Sequence, residues 1–144
     1  MVEINIKNEP SEHVVEKAIM DNIVDNGYYV LKNQAGSKTG SGRPDLSACI
    51  KGRYWGIEVK ANRSNVKTTQ NQLDHLKTIA ASGGKALYSK TSDIFNKYYD
   101  TSTLSAFSLK DVNQLLRDRD VVMVEIIDSV QLKIYKKGVR DFEL

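Results

Sequence analysis

Scarcity narrows this chain more than abundance does. Cysteine occurs once, as Cys49, which excludes an intramolecular disulfide and fits a reducing cytoplasm. Lying mid-strand, that thiol is expected to be a small packing residue. Histidine occurs twice, as His13 and His75, both on helical stretches without metal-ligand spacing to any partner. No apolar run approaches the roughly 18–20 residues of a membrane span, and the opening Met-Val-Glu-Ile-Asn-Ile-Lys carries no apolar signal segment. Neither an internal repeat nor a low-complexity segment is present. Gly36-Ser37-Lys38-Thr39 lacks the glycines a nucleotide-binding phosphate loop needs, because Ser37 and Lys32 stand in their places.

What is present suits one soluble α/β domain of 144 residues, 40% hydrophobic and 27% charged. The net charge of +3 is unevenly spread. From Lys32 to Lys67 there are eight basic residues and only two acids, Asp45 and Glu58. A positive field surrounding two carboxylates suits a metal site that receives a polyanion.

Helical spacing of Val15, Ala18, Ile19 and Ile23 predicts a helix from Glu12 to about Asp25, capped by Ser11 and stopped at Asn26-Gly27. Tyr28 to Leu31 reads as a strand, and 34–44 as a loop delivering the chain to Asp45. A second helix is expected from about Thr69 to Ala81, followed by a strand from Lys85 to Ser89. Shorter helices are expected near 92–100 and 108–118, then strands over Val121–Ile127 and Val130–Tyr135. This order predicts a mixed β-sheet flanked by helices on both sides.

The informative stretch is 42–60. Leu46, Ala48 and Ile50 alternate with more polar residues, as do Trp55, Ile57 and Val59. A II′ turn at Gly52-Arg53 sets Lys51 opposite Tyr54 and Asp45 opposite Lys60. The apolar six then share one face, and Asp45, Glu58 and Lys60 the other. Two carboxylates are hard oxygen ligands for Mg²⁺ or Mn²⁺, with the backbone carbonyl of Val59 as a further oxygen. Lys60 beside them could orient a water or neutralise charge developing on a phosphoryl group. An E-x-K tripeptide alone carries little weight; Pro44-Asp45, the hairpin and the shared face raise it.

Gly42-Arg43-Pro44-Asp45 followed by Gly56-Ile57-Glu58-Val59-Lys60 resembles the PD-(D/E)XK nuclease superfamily, within it the VRR-NUC and Holliday-junction-resolvase-like branch. Ser41, Leu46, Thr69, Gln72 and Gly83 continue the likeness, which spans roughly residues 11–89. The resemblance implies a restriction-endonuclease-like fold built on a four-stranded mixed sheet, with 90–144 as additions to a single nuclease domain. It implies a metal-dependent DNA endonuclease acting as a homodimer, often on branched DNA such as a four-way junction. An acidic residue on the first helix should face the metal. Glu12 fits, with Glu9 and Glu16 on nearly the same stripe. Gln72 corresponds to a family glutamine that could bond phosphate or a metal-held water, with Gln70 as rival. Lys38, Arg43, Arg63 and Lys67 are the expected contacts to DNA phosphates. Two alternatives stand beside this reading: a sequence-specific restriction or nicking endonuclease, and a non-catalytic DNA-binding module of the same fold.

Overall fold

A computed structural model of the chain describes residues 10–34 and 42–138. Its elements are α1 (Glu12–Asp25), β1 (Tyr29–Lys32), β2 (Leu46–Ile50), β3 (Arg53–Val59), α2 (Gln70–Ala81) and β4 (Lys85–Ser89). β5 (Asp100–Ser105), α3 (Leu109–Arg117), β6 (Val121–Ile126) and β7 (Gln131–Lys136) follow. The side chain of Ser11 accepts the Val14 N–H at 3.2 Å and starts α1. At its end Tyr28 N–H donates to the Ile23 carbonyl and Gly27 N–H to that of Val24, a Schellman closure. The helix turns Val15, Ile19 and Ile23 inward, as the sequence spacing requires.

The hairpin joining β2 to β3 differs from expectation by two residues. Ile50 pairs with Arg53 and Leu46 with Ile57, so the turn is Lys51-Gly52. Both turn residues have positive φ, 54° and 76°, the type I′ geometry that matches strand twist. A displacement of two residues preserves the pleat, so every face assignment survives. Leu46, Ala48, Ile50, Trp55, Ile57 and Val59 are all buried in one cluster with the inner face of α1. Cys49 points the other way and is exposed, not a packing residue.

All the strands join one seven-stranded mixed sheet, in the order β1-β2-β3-β4-β6-β7-β5. β3 and β4 run parallel, with α2 as their crossover. α1 packs on one side of the sheet, while Leu73 and Leu76 of α2 join Val112 and Leu116 of α3 in the cluster on the other. Gly56 and Gly84 let Ile79 of α2 approach closely: a Cβ at Gly56 would lie 2.6 Å from its Cδ1. The mixed sheet with helices on both sides is therefore as expected, with more strands.

One expected helix is absent. Residues 92–99 form turns in which Asn96 Nδ2 donates to Asp93 Oδ2, and Asn96 Oδ1 accepts the Tyr98 N–H. Such local side-chain bonds outcompete a helical backbone. The following Asp-Thr-Ser-Thr-Leu-Ser segment is β5, an exposed edge strand whose polar composition hid it. No helix of the described residues is long and apolar enough to cross a membrane.

Gly42 sits where the chain enters Pro44-Asp45, with φ +83° and a would-be Cβ only 2.7 Å from the Asn71 backbone. Gly42→Ala should therefore cost roughly 2 kcal/mol of stability in urea unfolding. An unchanged midpoint would show that this close approach to α2 does not hold.

Candidate active site

Three elements deliver the motif to one place. Asp45 precedes β2, and Asn33 pins it there: its N–H donates to the Asp45 carbonyl and its Nδ2 to the Pro44 carbonyl, both at 2.8 Å. The Asp45 carboxylate then takes the Val59 N–H on Oδ2 at 2.8 Å. It thereby occupies the ladder position beyond the last β2–β3 pair. The N–H and C=O of one strand residue point the same way, so the Val59 carbonyl is turned toward Asp45 as well. Lys60 continues β3, its N–H donating to the Ser89 carbonyl.

The side chains of Glu58 and Lys60 are buried side by side, Nζ lying 3.5 Å from Oε2. Gln72 joins them. Its Nε2 donates to Glu58 Oε2 at 2.8 Å, while Oε1 accepts from Lys60 Nζ, Thr68 Oγ1 and the Thr69 N–H. Lys60 Nζ also donates to the Lys67 carbonyl at 3.0 Å. Gln72 is thus brought to the site, its amide bonded to both the acid and the amine, and it caps α2 with Thr69. Gln70 pairs with Asp74 and takes no part.

Sequence reasoning missed the second ring. Thr68 Oγ1 meets the buried Tyr88 hydroxyl at 2.9 Å. Asn113 of α3 brackets Thr68, accepting its N–H at 2.7 Å and donating to its carbonyl, and Arg117 Nε donates to the Val66 carbonyl. The strap carrying the Lys67 carbonyl is fixed by a helix beyond the recognisable motif. Of this strap, only Thr69 and Gln72 had been singled out from the sequence as part of the family likeness.

The electrostatics are those of uncompensated negative charge. Burial, then the nearby Asp45, push the Glu58 carboxyl up to about 8, against the pull of Lys60. Asp45 is raised by burial and by Glu16, against its bond from Val59 N–H and the charges of Lys60 and Lys32. Glu12 is raised by burial and by Asp45, with Lys60 and Arg63 opposing. Glu12 therefore faces the cluster, as does Glu16, whose Oε1 is held 2.9 Å from Lys32 Nζ. Glu9 and Lys38 lie outside the described residues.

Carboxylates that raise one another's proton affinity favour a cation among them. Among the described residues, no group of three or more His, Cys, Asp or Glu gathers closely enough to hold an ion. Glu12 joins by charge at longer range, not as a third close ligand. Two carboxylates and a carbonyl suit a hard divalent ion that keeps several waters, not a closed protein cage. Arg63 and Lys67 are exposed beside this cluster, and Arg43 is exposed at the loop neck, donating to the Gln34 carbonyl. No protein-family model matches the chain, and no curated protein matches it.

Buried in the folded protein, Glu58 retains a proton that the unfolded chain releases near the ordinary glutamate value of 4.5. Stability contributed by this group is present below that value and is lost as pH rises toward about 8. Glu58→Gln cannot ionise and should escape that loss. Melting curves should show the variant gaining on the parent from pH 4.5 to 8, by roughly 5 °C at the upper end. A pH-independent difference would mean that Glu58 is not held protonated.

Proposed function

We propose that the chain is a metal-dependent endonuclease that hydrolyses DNA phosphodiester bonds, a member of the PD-(D/E)XK superfamily with the restriction-endonuclease-like fold. One observation carries the reading. Asp45, Glu58 and Lys60 converge at the end of β3, the two acids raised in proton affinity and the amine paired to one of them. A surface salt bridge does not require two half-to-fully buried carboxylates beside an exposed basic rim.

Asp45, Glu58 and the Val59 carbonyl would hold Mg²⁺ or Mn²⁺, with Glu12 adding charge. Such an ion, when bound, withdraws charge from a phosphoryl oxygen and acidifies a water. The chain's own residues do the remainder. Lys60, fixed by Gln72 and the Lys67 carbonyl, presents an ammonium to charge developing on the phosphate without first paying to order its side chain. Gln72 keeps Glu58 and Lys60 in register. Arg43, Arg63, Lys67 and Lys38 supply cations for the flanking phosphates. A branched substrate such as a four-way junction has two-fold symmetry, which a homodimer would match with paired nicks.

The test is cleavage of labelled four-way, flap, splayed and linear DNAs with Mg²⁺, Mn²⁺ or EDTA. Cutting should require the metal and fall at least about a hundredfold in Glu58→Gln and in Lys60→Met, with each variant's melting transition retained. Paired nicks on the junction alone support the branched substrate. Cutting of linear duplex at one sequence supports a restriction or nicking enzyme instead. Salt-sensitive binding without cleavage under either metal overturns the catalytic reading.

A further inference from the structure

On the α1 side of the sheet, away from the site, the pleat assembles a second group of functional side chains. Trp55 of β3 pairs in register with Lys85 of β4, Leu87 with Glu125 of β6, and Glu125 with Lys133 of β7. Tyr135, two residues beyond Lys133, stands on the same face. The 94–96 turn closes over them and leaves a cavity of about 250 Å³ walled by Trp55, Phe95 and Tyr135, with Lys51, Lys85 and Asn96 at its margin. Phe95 is wedged between Trp55 and Tyr28, with ring centroids 6.0 and 6.2 Å away.

The charges there are mostly spoken for, but not all. Glu125 is buried, and its Oε1 takes the Tyr135 hydroxyl at 2.6 Å and lies 3.7 Å from Lys85 Nζ. Lys85 also lies 4.7 Å from the centre of the Trp55 ring, and Lys133 lies 5.2 Å from that of Tyr135. Lys51 and Lys133 therefore leave an excess of positive charge over the single acid. Aromatic walls with surplus cations complement a flat, uncharged ring attached to an anion. Asn96 spends its side chain on Asp93 and the Tyr98 N–H, so it offers no free group to read a base edge.

We propose that this cavity is a second nucleic-acid subsite, taking one unpaired base of a single-stranded segment against the half-buried rings of Phe95 and Tyr135 above the buried Trp55, with the adjoining phosphates on Lys51 and Lys133. Recognition there is by stacking and charge, and so tolerates any base. The subsite shares with the nuclease reading only its nucleic-acid partner. Trp55 lies four residues before Val59 on β3, roughly 13 Å along the strand, with its side chain on the opposite face from Glu58.

Trp55 is the only tryptophan in the chain, so its fluorescence reports this cavity directly. The full chain is titrated in EDTA with oligothymidylate and with an abasic oligonucleotide of equal length. Oligothymidylate should quench the emission saturably, and the abasic strand should not. Tyr135→Ala should weaken that binding about tenfold or more, and the exposed-rim variant Lys51→Glu should weaken it even if Tyr135→Ala does not fold. Lys110→Ala, at an exposed residue of α3 on the other side of the sheet, should bind and quench like the parent. Equal quenching by both strands, no quenching, or loss of quenching in Lys110→Ala would each overturn the subsite. Cleavage without quenching removes this inference and leaves the nuclease; quenching without cleavage does the reverse.

Discussion

Burial of Glu58 and Lys60 together at the end of β3 is the constraint around which the rest is arranged. Taking a carboxyl and an amine out of water is costly unless the donors and acceptors of both are satisfied. Gln72 meets most of that demand, since one amide serves Glu58 through its N–H and Lys60 through its oxygen. The same oxygen caps α2, so the helix cannot start elsewhere without breaking the pair. The Lys67 carbonyl completes the shell of Lys60, and that carbonyl is held by the strap that Asn113 and Arg117 tie to α3. Helix position, loop conformation and charge burial are one problem with one solution.

That coupling explains which parts could be read beforehand. The face shared by Asp45, Glu58 and Lys60 was legible because strand alternation has a period of two, and a turn displaced by one residue, which shifts the pairing by two, left it untouched. The turn itself was misplaced because glycine first suggested II′, whereas Lys51 tolerates the positive φ that I′ demands. The start of α1 was visible through its capping residue Ser11, and the start of α2 near Thr69 through the helical spacing that follows it. Gln72 was placed at the site by the resemblance alone; its bonds to Glu58 and Lys60 could not be read, because they depend on how α2 packs against β3. β5 escaped because its side chains are almost all exposed, so burial left no mark on its composition. Asn113 escaped for another reason: its importance lies in a contact 45 residues away along the chain.

The site is locally unfavourable and the fold carries it. Asp45 and Glu58 are raised by burial before any neighbour acts, and Asp45 then raises Glu58 further. A sequence selected only for stability would place an apolar residue at Glu58, in a strand whose remaining central residues are buried. Retaining a carboxylate there makes sense if another positive charge joins it at some stage of the protein's work. Lys60 already supplies one and falls short, since Glu58 remains far above an ordinary carboxylate despite it. A further positive charge beside Glu58 would lower its proton affinity, and the proposed cation would supply one.

The two faces of the sheet divide the work by which helix covers them. α2 and α3 close one face over β4, β6 and β7 with an apolar cluster, and Glu58 emerges at its margin. α1 covers the other face chiefly at β1 and β3, beside the site to which it contributes Glu12 and Glu16. On that same face, β6 and β7 present Glu125, Lys133 and Tyr135 instead of an apolar stripe, and Trp55 marks the boundary. A strand pair that needed only to extend the sheet would turn threonine or plain charge outward. Tyrosine and lysine alternating beside a tryptophan-walled cavity form a surface suited to a polymer with both rings and phosphates. The additions after residue 90 therefore widen the sheet on one side of the motif, brace it through Asn113, and carry the proposed second subsite.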